Sequence, residues 1–221
     1  MQKGNRILQE ASNVFDRNRD SNQQEEGGLG KLQFLAEVER IAKEEEFWIG
    51  DISTIVGKKI LGGQESDVFV SKDNKDVIKL NRFSFIGNDI IGIEIFIERL
   101  NTHNELFPQD KYEVVGFSKD FEGNICIVLN QSYVNGEEAT QEEIDEFFIE
   151  KGAEKKRQGI YTLGDYEIND ALPNNVIKGK DGGLHFIDAF CVNKSRKKAI
   201  KDYYSLVKSL FLPTVTIIFF S

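Results

Sequence analysis

Between residues 58 and 134 the chain alternates short β-rich runs with tight turns, and one helix-length stretch interrupts them. That order constrains the fold more than any single residue does. The runs in "KKILGGQESDVFVSKDNKDVIKL" are joined by a glycine pair and then by "KDNKD", an Asp/Asn turn suited to an antiparallel hairpin. "NDIIGIEIFIERLNTHNELF" follows as a helix, with Asn88 and Asp89 as caps, Pro108 beyond its end, and Ile90, Ile93, Ile97 and Leu100 as its packing stripe. "KYEVVGFS" and "NICIVLNQSYV" then pair across "KDFEGN". A small antiparallel sheet with one helix packed on it, followed by further mixed structure, defines an α+β class.

The flanks are of a different kind. Residues 1 to about 30 are polar, end in "QQEEGGLG", and read as a partly helical, mobile leader. "KLQFLAEVERIAKEEEFW" has helical periodicity, with Leu32, Leu35, Val38 and Ile41 on one stripe. Beyond the sheet, "TQEEIDEFFIEKG" is a helix opened by a Thr140/Glu143 capping box and closed by Gly152. Next come "GIYTLGDYEIND", a loop around Asp170, the apolar strand "LHFIDAF", and a basic helix "KSRKKAIKDYYSLVKSLF". The divisions are therefore a leader over 1–46, a sheet-rich lobe over 47–133 and a second, reduced lobe over 134–221.

Composition excludes several roles. A net charge of −9, with no basic stripe interleaved with aromatics, argues against nucleic-acid binding. "KGAEKKR" and "NKSRKK" read as solvated surfaces. Two cysteines without a CxxC pair point to a reduced, cytoplasmic chain. His103 and His185 have no zinc partner at ligand spacing. The tail "LFLPTVTIIFF" is too short for a bilayer and carries Pro213, so no membrane partner is expected; a buried last strand or the cut end of a larger multidomain polypeptide accounts for it better.

The chemistry-bearing residues fall in one order. Gly62 and Gly63 form a turn between two strands, followed by Ser66 and Val68; glycines let backbone N–H groups approach phosphate oxygens. No Lys-Ser or Lys-Thr follows at Walker spacing. Lys79 lies in "DVIKL", alternating with Val77 while Ile78 and Leu80 point to the other face. Glu98, with Glu94 as its rival one turn earlier, borders the helix stripe and is the carboxylate expected to hold Lys79. "VLNQSYVNG" is the connector, where backbone groups from Asn130 to Tyr133, Gln131 among them, would read an adenine edge. Asp170 and Asn175 share a loop five residues apart, and Asp188 closes the next apolar strand. A base for the acceptor, plus an amide oxygen and a carboxylate for Mg²⁺ on the ATP phosphates, is what phosphoryl transfer requires.

On these motifs the chain resembles the protein-kinase superfamily, and more closely the kinase domain of bacterial and phage polyvalent proteins. "GGQESDVFV", "VIKL", "HNELFP", "YEVVGF", "LNQSYVNG" and "DALPNNVIKGKDGGLHFID" carry the likeness over about residues 47–192. The resemblance implies a two-lobed fold, with Asp170 as catalytic base, Asn175 and Asp188 as Mg²⁺ ligands, and Lys79 on the α/β-phosphates, paired with Glu98. Gly62, Gly63 and Ser66 would lie in the phosphate loop. It implies ATP and Mg²⁺ as cofactors and a protein or small-molecule hydroxyl as acceptor. Departures are specific. Leu61 and Ser66 stand at the first and third glycines of the loop, Ile168-Asn169-Asp170 replaces His-Arg-Asp, and Asp188-Ala189-Phe190 replaces Asp-Phe-Gly. With no Ala-Pro-Glu segment and 33 residues after Asp188, a compact phosphotransferase is implied rather than a regulated peptide kinase. The alternative is a pseudokinase or nucleotide-binding docking module without turnover.

Overall fold

The computed structural model describes residues 3–21, 27–62, 66–83 and 91–211. Two helices come first, α1 (Lys3–Ser21) and α2 (Gly27–Glu44). A five-stranded antiparallel sheet follows, made of β1 (Val56–Gly62), β2 (Ser66–Ser71), β3 (Asp76–Arg82), β4 (Glu113–Lys119) and β5 (Ile125–Ser132) in the order β1-β2-β3-β5-β4. The helix α3 (Ile91–Leu106) lies between β3 and β4 in sequence. The expected hairpins are all present, including β2–β3 across the Asp/Asn turn, where Asn74 takes a positive φ of 59°. The caps assigned to Asn88 and Asp89, and the stripe residue Ile90, lie outside the described residues.

The sheet is buried on both faces, and the alternation of β3 decides what goes where. Ile78 and Leu80 pack with Phe69, Cys126 and Val128 on one side. On the other, Ile127 and Leu129 meet Ile93, Phe96, Ile97 and Leu100 of α3. The leader differs from expectation. Ile7, Leu8 and Ala11 of α1 are fully buried in this same cluster, so its apolar stripe docks the segment onto the fold. In α2 the buried stripe is Phe34, Val38 and Ile41 with Leu35 at its edge, whereas Leu32 is 65% exposed.

The rest of the chain builds two smaller sheets around α4 (Gln141–Glu150). One orders β11 (Leu184–Phe186), β10 (Val176–Gly179) and β6 (Gly136–Glu138); the other orders β12 (Phe190–Asn193), β9 (Tyr166–Asn169), β8 (Ile160–Leu163) and β7 (Glu154–Arg157). The α4 capping box forms as expected: Glu143 N–H donates to Thr140 Oγ1 and Thr140 N–H to Glu143 Oε2. Gly152, at φ +80°, ends the helix. "LHFIDAF" is not one strand: β11 stops at Phe186 and β12 begins at Phe190, which leaves Ile187 and Asp188 between two sheets. The basic helix α5 (Lys194–Phe211) follows and packs on α3. The apolar tail from residue 212 lies outside the described residues, and no described helix is long and apolar enough to cross a membrane.

An aromatic cluster closes this second core. Phe148 stacks on Tyr161 at 4.2 Å, and Phe107 stacks on Phe186 at 4.2 Å. Removing a buried ring leaves a cavity that packed neighbours fill only in part, so Phe148→Ala should cost about 3–5 kcal/mol. Urea unfolding checks this, with a lower midpoint and an unchanged slope expected.

Candidate active site

Lys79 is the least expected side chain in the sheet: a lysine only 8% exposed. Its strand position puts it there. It pairs across the ladder with Val68 on one side and Leu129 on the other, and Val68 in turn pairs with Leu61. Directly opposed residues share a face, so Leu61, Val68 and Lys79 lie together on the side facing α3. The ammonium donates to Ile187 O at 2.7 Å, Tyr112 Oη at 2.9 Å and Asp188 Oδ1 at 3.2 Å. Burial opposes the charge, but the Tyr112 oxygen and the Asp188 carboxylate outweigh it and raise the Lys79 pKa above its ordinary value. Burial also pushes the Tyr112 phenol up to about 12, so it is neutral and donates to Ile187 O.

From Asp188 the geometry runs on without a break. Ile187 N–H donates to the Asn175 carbonyl at 3.0 Å, and Asn175 Nδ2 donates to the Asp170 carbonyl at 2.9 Å. Asp170 sits at φ +60°, a left-handed conformation costly for a residue with a Cβ, and its side chain is exposed. Two bonds hold it there: the Asn175 amide on its own carbonyl, and the next residue's N–H (Ala171) on Gly159 O at 3.1 Å. The four polar residues singled out in the sequence, Lys79, Asp170, Asn175 and Asp188, therefore belong to one hydrogen-bonded chain.

That chain presents oxygen donors. Asp188 is 65% exposed, its Oδ1 accepting from Lys79 at 3.2 Å and Tyr112 Oη at 3.3 Å, and the Oδ1 of buried Asn175 accepts its neighbour's amide, from Asn174 at 2.9 Å. A carboxylate and an amide oxygen are hard ligands of the type that suits Mg²⁺ when phosphate oxygens and water complete the shell. Among the described residues no group of three or more His, Cys, Asp or Glu side chains forms an all-protein metal cage.

A scan against protein-family models matches residues 33–195 to a Serine/Threonine/Tyrosine Kinase found in polyvalent proteins. The chain belongs to that family. A search of curated proteins finds no match. The match spans the five-stranded sheet, both smaller sheets and the whole Lys79–Asp170 chain, so membership and geometry coincide on the same residues.

Glu98 of this kinase-family chain is not where the sequence placed it. It is buried, but Thr102 Oγ1 donates to it at 2.7 Å and Arg196 of α5 lies 2.9 Å from its Oε1. The rival Glu94 receives a bond from Gln9 of α1. The reason is the packing of α3 against β12 and α5, which turns the Glu98 face toward Arg196. Tyr112 fills the place beside Lys79 instead, backed by His103 at 4.7 Å between ring centroids.

The connector side chains have partners of their own. Gln131 is buried and donates its amide to Asp110 O at 2.7 Å, while Tyr133 N–H donates to Lys75 O at 2.8 Å. The Tyr133 side chain lines a cavity of about 400 Å³ shared with Gln109, Asp110, Asp181 and His185. Ser66 Oγ accepts from Asn81 Nδ2 at 3.0 Å at the exit of the glycine turn, where Gly62 ends β1; Gly63 lies outside the described residues.

Tyr112, His103 and Asp110 escaped the sequence reading. Asp110 is buried and ties β11 to β5: its carboxylate takes Phe186 N–H at 2.9 Å and faces His185 Nδ1 at 2.7 Å, and its carbonyl takes Gln131. No local spacing signals these strand contacts, because Gln131 and Phe186 lie 21 and 76 residues away in sequence. His103 sits between the Ala189 and Asp110 carbonyls, and burial holds its pKa below the usual 6.5. The unfolded chain takes up that proton first as pH falls, so stability present above pH ~6.5 is lost below it. Melting temperature should drop between pH ~7.5 and ~5.5 in wild type, and His103→Asn should flatten that part of the profile.

Proposed function

We propose that the chain is a two-lobed ATP- and Mg²⁺-dependent kinase that transfers the γ-phosphate to a hydroxyl on a protein or small molecule. The carrying observation is the hydrogen-bonded path from buried Lys79, which holds Asp188 and the Ile187 carbonyl, through the Ile187 amide and Asn175 to the Asp170 carbonyl. The five-stranded sheet with α3 would be one lobe, the α4-centred sheets the other, and the nucleotide would lie between them. Leu61 and Val68 would cover the base, Gly62 and Ser66 would flank the phosphates, and the Lys79 ammonium would reach the α- and β-phosphates. Asn175 Oδ1 and Asp188 would hold Mg²⁺, which neutralises charge on the phosphate oxygens. Asp170 takes the proton as the acceptor oxygen bonds to the γ-phosphorus; the bond from that phosphorus to the β,γ-bridging oxygen breaks, and ADP leaves.

Both cysteines are buried and unpaired, in keeping with a reduced cytoplasmic setting. A second reading, nucleotide binding without turnover, draws support from one observation: Glu98 is committed to Arg196 and not to Lys79. Incubation with γ-labelled ATP and Mg²⁺ separates the two. Transfer of label to any acceptor, or to the chain itself, supports the kinase; binding of ATP with no transfer and no release of phosphate supports the docking module.

A further inference from the structure

The β7–β8 hairpin has no part in the chemistry above, yet its turn touches the catalytic loop. Gly159 at that turn accepts the Ala171 amide, one residue beyond Asp170. Gly159 adopts φ +69°, a conformation that favours glycine, and a Cβ there would press on Leu172 Cδ2 at 2.7 Å. The body of the hairpin is fixed on α4. Fully buried Tyr161 donates to Asp145 and receives Gln141 Nε2 at 3.0 Å, while Gln158 Nε2 reaches Gln141 Oε1 at 3.4 Å. Held at its turn and along its length, the hairpin is a rigid wall beside Asp170.

Its cations are not equivalent. Lys155 is paired with Asp145, and Lys156 with Glu154 at 2.6 Å. Arg157, nearest the turn and opposite Ile160, is exposed and has no hydrogen-bond or ion-pair partner among the described residues. It stands out in a chain of net charge −9. β7 is also the outer strand of its sheet, with all four residues exposed.

We propose that this hairpin recognises the phosphate acceptor, and that Arg157 selects a polypeptide carrying a carboxylate near the accepting hydroxyl. The proposal rests on the kinase reading above. A guanidinium binds a carboxylate through two parallel N–H···O bonds, which fixes direction as well as charge. The occupant is a polypeptide because an edge strand offers a row of peptide groups that another backbone satisfies along its length.

The test uses the full chain and two sets of Ser/Thr/Tyr peptides, flanked by Glu or by Lys. With ATP and Mg²⁺, wild type should favour the Glu-flanked set by about tenfold in kcat/KM, and Arg157→Glu should invert that preference. The same preference in both proteins overturns the proposal. A second arm needs no turnover: anisotropy of labelled Glu-flanked peptide without nucleotide should show affinity about tenfold weaker for Arg157→Glu. Equal binding, or none by wild type, also overturns it. If ATP is never consumed, the kinase reading fails while the binding arm still decides the role of Arg157. Arg157 is exposed, so the variant should melt with wild type, and a matching melt excludes misfolding as the cause.

Discussion

Asp170→Asn should lower phosphate transfer by about 10²–10⁴-fold, the usual worth of a positioned general base. The substitution keeps the size and shape of the side chain, so the left-handed backbone at φ +60° persists, and Asn tolerates that region better than most residues. Nothing else in the site leans on the carboxylate: the bonds that hold this turn use the Asp170 carbonyl and the Ala171 amide. Loss of rate should therefore come with unchanged melting temperature and unchanged ATP affinity. A rise in KM for ATP with kcat unchanged would show that Asp170 binds nucleotide and does not accept the proton.

Lys79→Met should cost about 10²–10³-fold in transfer, the scale for removing one preorganised charge from a shielded site. Its effect on folding should be small for a buried residue. Its neighbours have other outlets: Asp188 is 65% exposed and returns to water, and the Tyr112 hydroxyl keeps its bond to Ile187 O. No buried charge is stranded, which is the circumstance that makes broken ion pairs destabilising. Combining Lys79→Met with Asp188→Asn should cost much less than the sum of the single changes, since in the proposed site both would act on the same phosphates. Additive losses would separate the two residues functionally despite the 3.2 Å between them.

Much of this site was legible because its residues are local. Asp170, Asn175 and Asp188 sit within one short segment, and a hairpin strand delivers Lys79 through simple alternation. The Thr140/Glu143 box and the two hairpins are likewise short-range devices whose partners are a few residues apart. What failed was long-range. Glu98 is expected at Lys79 because it borders the packing stripe of its helix, but helix orientation is set by α5 and β12, more than 80 residues further on. Tyr112 gave no signal, because a tyrosine at the start of a strand usually packs as an ordinary hydrophobe; only burial beside Lys79 makes its hydroxyl part of the site. The leader looked mobile because its composition is polar, yet Ile7, Leu8 and Ala11 make one stripe that α3 and β4 can bury.

The central claim is that Lys79, Asn175 and Asp188 form one site for metal-bound nucleotide. Calorimetric titration with ATP tests it, run with and without Mg²⁺ on wild type and on Asp188→Asn. The account predicts binding that Mg²⁺ strengthens in wild type and no such metal dependence once the Asp188 carboxylate is gone. ATP affinity that ignores Mg²⁺, or a metal dependence unchanged in Asp188→Asn, would contradict it.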